Sequence, residues 1–128
     1  MTYLRILLVS ISCLASYLYA QSPIANFTAN PLTVCVGQNV NFTNTSSANG
    51  GPALNSYQWD FGDGNAATTT NATHAFSTAG TFTITLVATN ANGVADAEIK
   101  PAYITVNPLP NVNFSANGLG CTVPLTLS

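Results

Sequence analysis

Between Thr81 and Thr89 apolar and polar side chains take turns. Phe82, Ile84, Leu86 and Ala88 share one face, and Thr81, Thr83, Thr85 and Thr89 the other. Strict period-two alternation with β-branched residues on the polar face is the pattern of a half-buried strand. Gly80 stands before it, and Asn92-Gly93 after it suits a tight hairpin into the next strand. The same period recurs at Val40 and Phe42, at Tyr57, Trp59 and Phe61, and at Ala102, Ile104 and Val106, with a first short strand around Ile24 to Ala29. Lys100-Pro101 interrupts the last strand; proline donates nothing to a ladder, so a bulge or an edge is expected there. Six or seven short strands without a helical period predict an all-β fold. Each sheet has one apolar face, so two sheets must stack into a β-sandwich. The predicted core is Val40, Phe42, Trp59, Phe61, Phe82, Ile84, Leu86, Ile104 and Val106.

Composition supports strands and removes several functions. Of the 108 residues from Gln21 onward, 15 are Asn, 16 Thr and 7 Ser, all poor helix formers and good turn or strand-face residues. Charged residues make up 5% of the 128-residue chain, against about 25% in an ordinary soluble domain. Arg5 and Lys100 are the only basic residues, so a basic face for nucleic acid and a polybasic membrane helix are both excluded.

The first twenty residues read as an address. Arg5 precedes an apolar run from Ile6 to Leu18, and Ala20 precedes the polar Gln21-Ser22-Pro23. This is the arrangement of a cleaved secretory signal peptide, expected as a lone helix over 1–20. The run is shorter than the ~20 residues that span a bilayer, so no membrane insertion is expected after cleavage. A secreted or cell-surface location follows, where disulfides are permitted.

The chain also repeats itself. Asn26-Phe27-Thr28-Ala29-Asn30-Pro31-Leu32 returns as Asn113-Phe114-Ser115-Ala116-Asn117-Gly118-Leu119, and Cys35 corresponds to Cys121. Asn107-Pro108-Leu109-Pro110 forms a joint between the units. The expected organisation is a signal peptide over 1–20, one complete domain over 21–107, and a linker with the start of a second repeat over 108–128.

At the centre stands Tyr57-Gln58-Trp59-Asp60-Phe61-Gly62-Asp63-Gly64, followed by His74-Ala75-Phe76, Gly80-Thr81-Phe82 and Asn90. This series resembles the WDFGDG signature, the His-x-aromatic and the Gly-x-aromatic strand opening of the PKD (polycystic kidney disease) domain, over roughly residues 24–106. The Asn-Phe-Thr-Ala-Asn opening is similar to PKD repeats in large surface proteins of Bacteroidetes-type bacteria. The resemblance implies an immunoglobulin-like sandwich, extracellular and commonly repeated, with neighbouring PKD repeats of the same chain as partners. Many such repeats pair the early Cys with a Cys in the hairpin after the long strand. Here Asn92 stands in that place. Cys35 and Cys121 are therefore expected not to be paired with each other, being equivalent points of units about one domain length apart, whereas a disulfide needs Cα atoms within ~7 Å.

The remaining motif residues are read as structural. Trp59 alternates with Tyr57 and Phe61, which fits a buried sandwich tryptophan better than a sugar-stacking platform. Asp60 and Asp63 are weak calcium candidates, since calcium takes about six to eight oxygens. Turn building by Asp60, Gly62, Asp63 and Gly64 is the stronger reading. His74 has no second ligand at metal spacing, and no nucleophile elbow accompanies it. No catalytic residue, metal or cofactor is expected. Five Asn-x-Ser/Thr sequons, at Asn26, Asn41, Asn44, Asn71 and Asn113, are what so Asn- and Thr-rich a chain produces by chance. The function expected is that of a non-catalytic extracellular spacer or adhesive unit in a tandem-repeat protein, contacting proteins or glycans. The alternatives are an accessory domain of a secreted hydrolase, whose enzyme would follow Ser128, and a carbohydrate-binding module, for which Tyr103 and Phe76 are the aromatics to spare.

Overall fold

The computed structural model describes residues 21–110 and Cys121; the expected signal helix and most of the second repeat lie outside the described residues. Eight strands form, and among the described residues there is no helix. They are β1 (Phe27–Asn30), β2 (Thr33–Cys35), β3 (Asn39–Asn44), β4 (Leu54–Asp60), β5 (Ala66–Ala67), β6 (Ala72–Ala75), β7 (Gly80–Asn90) and β8 (Ala95–Asn107). A three-stranded sheet, β1-β3-β6, stacks on a five-stranded sheet, β2-β8-β7-β4-β5.

The alternation read from the sequence decides what lies between them. Val40 and Phe42 of β3 face Trp59, Ile84, Leu86, Ile104 and Val106 across the sandwich, all buried. Phe27, Val34, Phe61 and Phe76 complete this core. Each large side chain so buried contributes about 1.5–3 kcal/mol of transfer free energy. The aromatic residues meet edge to face or tilted, Phe27 at 5.3 Å and Phe42 at 5.7 Å from the Trp59 ring, a favoured geometry for ring quadrupoles. Phe82 differs from expectation. It is only half-buried at the rim, stacked on Phe76 at 4.5 Å, because the strand has just begun at Gly80 and the opposite sheet ends there.

Two features depart from simple hairpins. β8 is 13 residues long, and its pairing with β7 shifts between Phe82 and Ile84, which face Ile104 and Lys100. The excursion holds Pro101 and Ala102; Ala102 has φ 47°, and its N–H donates to Thr83 Oγ1. The proline expected to break the ladder sits in this bulge. The second feature lies at Pro31. Upstream, β1 pairs antiparallel with β3; downstream, β2 pairs parallel with the end of β8, Thr33 with Thr105 and Cys35 with Asn107. The chain changes sheets at a residue that cannot extend a ladder.

That change of sheet explains a correction. Cys35 and Cys121 are joined, with Cα atoms 5.7 Å apart. The parallel pairing carries Cys35 to the end of the sandwich from which the chain leaves at Asn107. Cys121 is thus only a short stretch of chain away, and the distance of one domain length assumed from the repeat does not apply.

Candidate functional site

The motif residues gather where β4 turns into β5. Asp60 Oδ1 accepts from the Gly62 N–H at 2.8 Å, and Asp63 Oδ1 from the Asn65 N–H at 3.0 Å. Both carboxylates thus close local turns, as short acidic side chains do. Gly62 has φ +75°, and a Cβ there would lie 2.5 Å from the Thr83 carbonyl oxygen; only glycine lets the turn approach β7 so closely.

Asp63 has a second task. Its Oδ2 lies 2.7 Å from His74 Nε2, with the two side chains 8% and 14% exposed. An ionised carboxylate only accepts, so the imidazole donates. Burial works against the charge on Asp63, but the bonds from His74 and from Asn65 outweigh it and hold the carboxyl below its ordinary value. The imidazole is stacked on Phe61 at 4.3 Å and meets the edge of Phe76 at 4.7 Å. A β4–β5 turn residue is thereby clasped to β6 of the other sheet. Such an aspartate–imidazole pair orients a proton, but no Ser, Thr or Cys is bonded to its free ring nitrogen among the described residues.

Trp59 is fully buried and its Nε1–H donates to the Thr69 carbonyl at 2.9 Å, so its ring offers no face to a sugar. Among the described residues no group of three or more His, Cys, Asp or Glu side chains converges as a metal site, and the turn-closing bonds already occupy one oxygen of each of Asp60 and Asp63. Phe76 and Gly80 also serve the frame. Phe76 is buried and its carbonyl accepts from Gly37 N–H, while Gly80 has φ +147° where β7 opens.

A shallow concavity lies elsewhere, on the outer face of the larger sheet. Asn55, Ser56, Tyr57, Gln58, Thr68, Thr70, Val87 and Thr89 line a shallow trough of about 400 Å³. Its floor is the pairs Ser56–Thr89 and Gln58–Val87; its wall is the Thr68–Thr70 segment, pinned from beneath by the Trp59 indole. Amide and hydroxyl groups dominate it, chemistry suited to hydrogen-bonding a sugar or an extended peptide and lacking any charge to move a proton. Little in the residue pattern announces this trough, because Thr and Gln in alternation look alike whether the sheet behind them is flat or concave.

A second arrangement was also missed. Asp96, Glu98 and Lys100 lie opposite Ala88, Leu86 and Ile84, and two of these charges, Asp96 and Lys100, reach the first segment. Asp96 Oδ2 accepts from Ala25 N–H at 2.8 Å, and Lys100 Nζ donates to the Phe27 carbonyl at 2.7 Å. The ammonium also lies 4.8 Å from the Phe27 ring and 5.1 Å from the Tyr103 ring. Tyr103 is thereby engaged too. The period-two spacing of these charges was the available signal.

Comparison with known proteins places the fold. The family model of the PKD domain matches residues 20–106. Collagenase ColA of Clostridium perfringens is 34% identical over 84 residues, which is 65% of this chain and 8% of the collagenase. The chain thus spans under a tenth of that relative's length. The solved PKD1 domain of the Vibrio cholerae metalloprotease PrtV superposes with a TM-score of 0.57 at 30% identity, covering 66% of this chain and 98% of that one. A structure from work on the promiscuous specificity of carbohydrate-binding modules of the β-sandwich superfamily gives a TM-score of 0.64 at 30% identity, covering 69% of this chain and 35% of that one.

Proposed function

Because the chain belongs to the PKD domain family, we propose that it is a non-catalytic extracellular spacer and contact module of a longer secreted or cell-surface protein. One observation carries this reading. The chain arrives beside Asp96, where Ala25 is bonded, and leaves after Asn107, the other end of the same strand. Allowing for the bulge, about nine residue steps at ~3.3 Å separate the two, or ~30 Å. A sandwich traversed from pole to pole adds its length to whatever precedes and follows it. The trough supplies the contact surface of this reading, with glycans or extended polypeptides as the chemistry it fits; the likeness to carbohydrate-binding modules supports the former.

With a rigid marker domain fused to each end of the full chain, small-angle scattering should give a marker separation exceeding that of directly joined markers by ~30 Å. A separation no greater than in the direct fusion would overturn the spacer role. The collagenase and metalloprotease relatives favour a second reading, in which the module accompanies a protease domain. Reading the gene beyond Ser128 decides between them: a protease domain supports the second, further repeats the first.

A further inference from the structure

The disulfide divides the domain topologically. Upstream of Cys35 lie β1 and most of β2; between Cys35 and Cys121, 86 residues apart in sequence, lie β3 to β8. We propose that the Cys35–Cys121 bond is a covalent bypass for tension. Load pulled through the chain ends runs along residues 25–35, crosses the two sulfurs and leaves at Cys121. The six enclosed strands, with Trp59, Phe42, Ile84, Leu86 and Ile104, lie outside the load path.

The segment that carries the load is already taut. Ala25 is bonded to Asp96, Phe27 to Lys100 and Leu32 to Thr105, and Cys35 is paired with Asn107. Residues 25–35 therefore follow β8 from one pole to the other. Ten residue steps span at most about 36 Å when fully extended, and the poles they join are ~30 Å apart. Less than ~10 Å of slack remains between Ala25 and the disulfide. An oxidised domain is then a nearly inextensible link, and a reduced one releases the chain between two cysteines 86 residues apart, about 300 Å when stretched. The biological use of such a link rests on the spacer reading, but the mechanical behaviour does not.

Single-molecule force spectroscopy on the full chain, held by handles at both ends, tests this with and without a thiol reductant. Reduction should lengthen the fully stretched chain by ~300 Å, and the Cys35→Ser variant should match the reduced protein without reductant. Because contour length is read from the stretched chain, the comparison holds even if the reduced protein does not refold. Equal lengths before and after reduction would overturn the bypass and leave the spacer role standing. A length withheld only in the oxidised chain, together with markers no farther apart than in the direct fusion, would sink the spacer role and leave the bypass standing.

Discussion

At Asp63 one side chain does two jobs, closing its own turn and holding His74 of the opposite sheet. Its carboxyl is held below the ordinary value, so the folded state favours the ionised form. The sign follows from linkage: the stabilisation is complete above the range of a free aspartate, ~4, and is lost as pH falls through the lower folded value. Asp63→Asn should therefore destabilise the domain near neutral pH, and the gap from the parent should narrow below pH ~4. Urea titrations across that range check this. A gap that stays constant into acid would mean that the clasp draws nothing from the charge on Asp63.

Among elements, the attachment of the first segment to β8 is the least conventional. It uses charged side chains reaching for backbone groups where a strand ladder would use amides. Lys100→Met keeps the apolar stem while removing the bond to the Phe27 carbonyl and the cation–ring contacts. The expected loss is about 1–3 kcal/mol, with faster amide exchange in β1 than in β7. Uniform protection in both strands would show that β1 is held by β3 alone. Much at this scale was legible beforehand. The face of β7, the core partners on β3 and β4, and the break at Pro101 all follow from period two and from what proline lacks. The destination of β2 was not legible. A three-residue strand carries too little pattern to say which sheet it joins, and the expected distance between Cys35 and Cys121 failed for that reason. The trough escaped for a different one, since sheet curvature leaves no mark on the alternation.

For the whole molecule, the disulfide adds stability as well as topology. Closing a loop of 86 residues restricts the unfolded chain, worth about 4–5 kcal/mol on chain-entropy grounds. That is a large share of the 5–15 kcal/mol typical of a domain. Guanidinium titration should show a loss of about this size on reduction; a loss below ~1 kcal/mol would mean that the loop is already closed without the bond. A module with few charges and an all-β core thus gains from one covalent link what a larger core supplies elsewhere.

The setting of Lys100 has a consequence for survival among digestive enzymes. Peptidases that cut after lysine or arginine must draw the cationic side chain into a pocket and bend the peptide that follows it. Beyond Arg5 this chain offers them one such residue. Its ammonium is already held by a carbonyl and flanked by two rings. It stands within a 13-residue strand, and the bond after it leads into Pro101, whose ring fixes the backbone against the required bend. For that class of enzyme the folded domain presents no place to begin.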